Sequence, residues 1–198
     1  WKDVPGVMNA DPKKFQNTHL LNSLSYNDAI ELAYYGASVI HPKTIQPLKA
    51  SNIPLYVRSF LNIDATGTCV SQDTNSSEIT SKIHKNSQIL LEISTRDYTF
   101  IAEDSLSFIL STLLNNKVRM NIMQNSAIQF NCVIDDRENR HETLISKLKE
   151  HFNVTVKSGL QLVTLYGKGN EKDKNEISEM GEILLEQNIG QVTHYVIK

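Results

Sequence analysis

The stretch "LSYNDAIELAYYGASVIHPKT", Leu24 to Thr44, decides how the start of the chain is read. Ser25 stands where a helix N-cap belongs, and Asp28, three residues on, completes a capping box. Ile30, Ala33, Ala37 and Ile40 recur near helical spacing, which predicts a helix with one apolar stripe. Gly36 inside that stripe costs about 1 kcal/mol against alanine and is read as a point of close backbone packing. Pro42 suits the first position of a second helix carrying Ile45 and Leu48. Downstream, "NIPLYVRSF" (Asn52–Phe60) alternates as a strand does, and "DATGT" (Asp64–Thr68) turns the chain. An α/β unit from Trp1 to about Leu61 follows.

The 198 residues carry 20 basic and 22 acidic side chains and a net charge of -2, so the chain has no electrostatic footprint for a nucleic-acid backbone or an anionic membrane. Small molecules and other proteins remain as partners. Cys69 and Cys132 lie far apart and in no metal-ligand spacing; buried thiols in a reducing cytosol are expected rather than a disulfide, and no metal site is expected. Neither a signal peptide nor an apolar run of spanning length is visible, so a cytoplasmic protein is expected. "WKDVPGV" lacks an initiating methionine and reads as the inside of a strand and turn, as though the chain opens partway through a folded unit.

Between Val70 and Ser87 the sequence turns polar, with "SQDTNSSE", and a domain boundary is placed there. After it come a strand "QILLEIST", a helix "LSFILSTLLNN", strands "VRMNIMQ" and "AIQFNCVID", a helix "HETLISKLKEHF" and a strand "NVTVKSG", the βαββαβ order of a ferredoxin-like unit. A shorter unit follows: strand "LQLVTLYGKG", helix "ISEMGEILLEQN" and closing strand "QVTHYVIK". The expected organisation is an α/β domain over 1–70, a linker over 71–87, one ferredoxin-like unit over 88–159 and a second, reduced or truncated one over 160–198.

"WKDVPGVMNADPK", "LSYNDAIELAYYGASVIHPKT" and "NIPLYVRSF" together resemble the C-terminal part of the catalytic domain of aspartokinases, and the units behind them resemble the ACT regulatory domains of that family. The resemblance covers essentially the whole chain. It implies an α/β fold: the C-terminal part of an amino-acid kinase αβα sandwich, then ferredoxin-like ACT domains. It also implies transfer of the ATP γ-phosphoryl group, with Mg²⁺, to the side-chain carboxylate of aspartate, the first step toward lysine, threonine and methionine. Phosphoryl transfer asks a protein mainly for positioning and positive charge around the nucleotide oxygens.

On this resemblance Lys2, Asp3 and Val4 match the strand end that contacts the nucleotide, and Lys13 falls where the family carries a basic residue directed at the phosphates. Where the family often reads Gly-Ala-Lys, this chain has Gly36-Ala37-Ser38. Losing one charge-assisted hydrogen bond weakens nucleotide binding about tenfold to a hundredfold unless another cation replaces it. Lys43 is the candidate replacement, with an exposed first-turn lysine as the alternative. His41 is expected to cap or pack. The glycine-rich phosphate segment that opens family members has no match here, nor do their aspartate-binding residues, so the chain by itself is not expected to catalyse and no catalytic residue is assigned.

ACT domains pair side by side and bind an amino acid at the shared edge. On that pattern "DYTFIAEDSLS" offers Thr99, Ala102, Ser105 and Leu106 to a lysine or threonine effector, faced by Asn121, Gln124, Asn125 and Ser126. Backbone N–H groups near Ser105 would suit a carboxylate. Equally, Asp104 or Ser105 is a plain N-cap and Asn125-Ser126 a plain hairpin turn. Asn121 stands where lysine-sensitive relatives often have an aspartate, leaving Glu103 or Asp97 to balance a cationic effector. A homodimer or larger assembly through the ACT domains is expected. The competing readings are a free-standing amino-acid-sensing module without catalysis and a kinase for glutamate or a carbamate.

Overall fold

Ser25 opens the helical unit as its place in the sequence requires. Its hydroxyl accepts the Asp28 N–H at 3.1 Å, and the Asp28 carboxylate accepts the Ser25 N–H at 3.2 Å, closing the capping box at the head of α1 (Tyr26–Tyr35). The computed structural model describes all residues except Ala37, Ser38, residues 73–78, Tyr98, Glu138, Asn139 and Asn170, together with the Arg140 side chain. α1 ends earlier than its apolar stripe suggests. Gly36, expected inside the helix, is its C-cap at φ 126°, and its N–H reaches Leu32 O at 3.2 Å. A glycine takes positive φ without Cβ strain, so the helix stops there.

α2 (Pro42–Ala50) starts on its proline, with the His41 ring accepting the Lys43 N–H at 3.2 Å. His41 is therefore a cap. β1 (Ser23–Ser25), β2 (Leu55–Val57) and β3 (Thr68–Ser71) form a sheet in the order β1-β3-β2, with β1 parallel and β2 antiparallel to β3. The remaining elements are β4 (Thr80–Ser94), α3 (Glu103–Asn115), β5 (Met120–Asn125), β6 (Gln129–Asp135), α4 (Arg140–His151), β7 (Asn153–Gly167), α5 (Glu171–Glu179), β8 (Ile183–Ile189) and β9 (Val192–Ile197). Their strands take the order β5-β6-β4-β7-β9-β8.

The run β5-β6-β4-β7 is the strand order of a ferredoxin-like unit, as the sequence suggests. Three local expectations change. Residues 80–87, read as linker, belong to β4. "NVTVKSG" and "LQLVTLYGKG", read as two strands, are the single 15-residue β7. Gly159 between them takes φ +70° with open space around it, so the strand passes through without a break. The helix read over "ISEMGEILLEQN" lies earlier, as α5, and "ILLEQN" is strand. Gly190 at φ +59° joins β8 to its neighbour β9, and hairpin pairing overrides the helical preference of Leu and Glu. The second unit thus has a hairpin the sequence reading lacked. β4-β7-β9-β8 repeats the ferredoxin-like order if β7, β8 and β9 stand as its first three strands and β4 as its fourth.

The chain divides into two compact units. One contains Trp1–His84, Val163–Gly181 and Asn188–Tyr195. Its core joins Leu24, Leu32, Ile45, Val57 and Val70 to Ile83, Tyr166 and Val192. Asp28, only 3% exposed, has a second duty there: its other carboxylate oxygen accepts the Tyr166 hydroxyl at 2.6 Å. Burial first, then the Asp28 carboxylate, push the Tyr166 phenol above its ordinary 10.0, so it remains a donor. At the far end of α1 the Tyr35 ring meets His194 edge-on at 5.1 Å, and His194 Nδ1 lies 2.9 Å from Thr164 Oγ1.

The other unit contains Lys85–Leu162, Glu182–Gln187 and Val196–Lys198. β4 and β6 pair antiparallel with Leu90 opposite Val133 and Leu91 opposite Cys132. Because side chains alternate across a sheet, Leu91, Ile93, Phe130 and Cys132 face Ile109, Leu113, Leu144 and Leu148 of the helices. Leu90 and Val133 join Ile122, Leu160, Leu162, Leu185 and Val196 in a second cluster. Both cysteines are free thiols, and burial pushes Cys132 up to about 12. Among the described residues no helix is long and apolar enough to cross a membrane.

Candidate functional site

The candidate nucleotide residues lie on three separate elements. Lys2 sits in a parallel bridge with Ser59; its N–H donates to Arg58 O at 2.8 Å and its carbonyl accepts from Phe60 N at 2.9 Å. Asp3 follows with an exposed side chain and Val4 is half-buried. A recess of about 340 Å³ beside them is lined by Trp1, Tyr56 and Arg58, whose guanidinium lies 5.7 Å from the Tyr56 ring centre.

Lys13 belongs to a closed turn. The Asp11 carboxylate accepts the Lys13 N–H at 2.9 Å, and Asp11 O accepts from Lys14 N at 2.9 Å and Phe15 N at 3.0 Å. An aspartate that folds back on the following amides fixes this turn, with the proline next to it setting φ. The exposed side chains of Lys13 and Lys14 leave it on the solvent side, while Phe15 is buried. Lys43 is likewise exposed, in the first turn of α2. Ser38 lies outside the described residues.

The same unit holds a groove of about 880 Å³ lined by Asn9, Lys14, Phe15, Lys82, Asp173 and Glu176 among others. At its floor the Lys82 ammonium pairs with Asp173 at 2.8 Å and with Glu176. Burial alone would lower the Lys82 pKa, but the two carboxylates outweigh it and hold the ammonium above its ordinary value.

In the second unit the effector candidates split into two groups. The loop before α3 and the hairpin between β5 and β6 meet: Ile101 N donates to Ala127 O at 2.8 Å, and Ser126 N and Oγ both donate to Gln129 O, at 2.8 and 3.2 Å. This brings Thr99, Ala102, Ser105 and Leu106 to the same end as Asn125 and Ser126. α3 is capped by Ala102, with no side-chain bond to its first amides, instead of by Asp104 or Ser105. Those amides remain as donors, and Glu103 and Asp104 sit in the first turn. Asp97 is held below its ordinary value chiefly by hydrogen bonds from Thr99.

Asn121 goes elsewhere. At a β-bulge near the start of β5, its amide donates to Gln88 Oε1 and Asp135 Oδ1, both at 2.8 Å, and it accepts from Lys85 Nζ at 3.1 Å. Burial would raise the Asp135 pKa, but hydrogen bonds from Asn121 and Gln88, then Lys85 and Arg137, bring it below 3.8. A carboxylate with a depressed folded value contributes stability above its unfolded value that is lost as pH falls through the folded one. Stability of the chain is therefore expected to drop as pH falls below about 4, and Asp135→Asn is expected to flatten that acid limb in urea titrations from pH 5 to 2. An equally steep limb in the variant would disprove it.

Gln124 also turns away from the hairpin, in a reciprocal pair. Its amide donates to Glu186 O at 3.0 Å, and that of Gln187 donates to Met123 O at 2.6 Å. Each glutamine bonds the residue before the other. Gln187 escaped the sequence reading, yet "MQN" on β5 and "EQN" on β8 are a visible repeat.

Comparison with known proteins agrees with this architecture. The model of the "Amino acid kinase family" matches residues 1–59. A bifunctional aspartokinase/homoserine dehydrogenase 2 of Zea mays is 46% identical over 70 residues, which is 35% of this chain and 8% of that one. Aspartokinase 2 of Arabidopsis thaliana is 28% identical over 178 residues, 84% of this chain and 33% of the relative. Aspartokinase III of E. coli shares the fold along all of this chain and 47% of its own, with TM-score 0.80 and 23% identity when bound to lysine and aspartate (T-state) and 0.83 and 22% when bound to aspartate and ADP (R-state). The chain belongs to the aspartokinase family. It spans less than half the length of each of these aspartokinases. With a kinase-family segment and ferredoxin-like units on one chain, a free-standing sensing module is not favoured.

Proposed function

We propose that this aspartokinase segment forms part of an enzyme that moves the γ-phosphoryl group of ATP onto the side-chain carboxylate of aspartate. The observation that carries the reading is a kinase-family segment at residues 1–59 followed, on one polypeptide, by ferredoxin-like units. In the reaction a carboxylate oxygen attacks the γ-phosphorus as the bond to the β,γ-bridging oxygen breaks, giving an acyl phosphate and ADP. Charge then builds on the phosphoryl and leaving oxygens, and fixed cations stabilise it. Lys13 on its closed turn and Lys43 in the first turn of α2 are assigned to the phosphates together with Ser38, and Lys2, Asp3 and Val4 to the nucleoside side. Mg²⁺ is assigned to the nucleotide phosphates, where it would neutralise the charge that develops in transfer.

The second unit is assigned to feedback sensing. Amides at the head of α3 suit an amino-acid carboxylate, and Thr99, Asn125 and Ser126 border the same loop and hairpin. Lysine or threonine is the proposed effector, in a homodimer formed through the ACT units. A cytoplasmic setting is proposed on the two free thiols. Lysine or threonine at millimolar concentration is expected to raise the melting temperature of the 198-residue chain by a few degrees. An unchanged melting curve with both amino acids would remove the effector site.

A further inference from the structure

The α5 carboxylates and the Asp11–Phe15 turn meet on a single side chain, Lys82. Its backbone is tied to the turn: Ala10 and Lys82 form a parallel bridge, and Lys82 N donates to Asn9 O at 2.7 Å. Its ammonium lies 5.6 Å from the Phe15 ring centre, an attractive arrangement because the ring face is negative. The same ammonium holds Asp173 and Glu176, three residues apart on one face of α5. The Lys82 and Asp173 side chains are each only 11% exposed, so their pairing is largely shielded from solvent screening.

We propose that Lys82 is a positioning residue that makes the placement of the phosphate-side turn depend on α5. If α5 moves, its carboxylates draw the ammonium with them, and the ammonium leaves the Phe15 ring on which the turn is seated. If the carboxylates lose their charge, the ammonium reorients toward water, and Phe15 loses the same contact. A second feature fits this route. α5 follows β7 directly through Gly167, Lys168 and Gly169, and Lys168 O is bonded to Thr80 Oγ1 at 2.9 Å, two residues before Lys82. Displacement at the end of β7 therefore reaches both ends of the strut. The regulatory meaning rests on the nucleotide reading of the turn; the mechanical coupling does not.

Amide hydrogen exchange on the 198-residue chain reads the coupling without any activity. The amides of Lys14 and Phe15, both donating to Asp11 O, report the turn, and the Cys69 amide of β3, donating to Asn22 O, reports opening of the same unit. In a double variant, Asp173→Asn with Glu176→Gln, which substitutes no residue of the turn, protection at Lys14 and Phe15 is expected to fall roughly tenfold while Cys69 stays unchanged. Lys82→Met is expected to give the same pattern, and Lys82→Arg to restore most of the protection, since it keeps charge and ring contact. Wild-type protection at the turn in the α5 variant, or loss spread equally over Cys69, would overturn the proposal. Failure of the kinase reading would show separately, as absent turnover in the intact enzyme with the exchange pattern intact.

Discussion

Gly167→Ala is expected to be among the most damaging single changes in the chain. Gly167 closes β7 at φ +94°, where a Cβ is strained whatever space surrounds it. Here there is none: a Cβ at this position would lie 1.6 Å from Ile79 O and 2.8 Å from its carbonyl carbon. Both near atoms are backbone, so neither can rotate aside. The Gly167 N–H also donates to Gln191 O at 2.8 Å, and a backbone shift large enough to clear Ile79 breaks that bond. Strain at positive φ costs about 1–3 kcal/mol and overpacking about as much again, so a loss of about 4 kcal/mol is expected. In urea unfolding followed by circular dichroism this moves the midpoint down by roughly 2 M. A midpoint within experimental scatter of the wild type would show that β7 does not end as described.

Asp28→Ala is expected to cost about 3 kcal/mol, more than an ordinary cap. The ordinary part is the capping box, about 1 kcal/mol. The rest comes from Tyr166, whose hydroxyl would remain in the core without its acceptor, a penalty of about 1–3 kcal/mol. Tyr166→Phe separates the two. It keeps the cap, is expected to cost about half as much, and in a double-mutant cycle with Asp28→Ala should reveal a coupling of about 1.5 kcal/mol. The phenol also carries a pH signature. Its folded pKa is raised by burial first and Asp28 second, so its contribution is complete below the ordinary 10.0 and lost as pH climbs through the folded value. Tyr166→Phe should remove that alkaline loss. Additive single effects would mean that Asp28 serves only α1.

The capping box, Pro42 at the head of α2 and the βαββαβ order were legible because each rests on short-range chemistry or on alternation within one element. Ser25 and Asp28 need only each other, and Leu90–Leu91 need only a sheet with two faces. What sequence hid was long-range. The second duty of Asp28 depends on Tyr166, 138 residues away. The Lys82 strut depends on α5, and the long strands β4 and β7 depend on neighbours that pass through both ferredoxin-like orders. Gly36 and Gly159 show the limit of reading glycine by itself: one ends a helix, the other interrupts nothing. Of the residues proposed for an effector, Thr99, Ala102, Ser105, Leu106, Asn125 and Ser126 lie at one end of their unit, whereas Asn121 is spent on Asp135 and Gln88, and Gln124 on β8. A polar residue on a strand has no fixed partner until register and bulge are set, and the bulge beside Asn121 sets it here.

The proposed activity and its control meet in one assay: β-aspartyl hydroxamate formed by the intact enzyme from ATP, aspartate and hydroxylamine, followed as lysine or threonine is added. Trapped acyl phosphate is expected in the absence of effector, with a saturable fall as one of the two amino acids reaches millimolar levels. No hydroxamate at any effector concentration, or a rate indifferent to both amino acids, would contradict a phosphoryl-transfer unit governed by its own sensor.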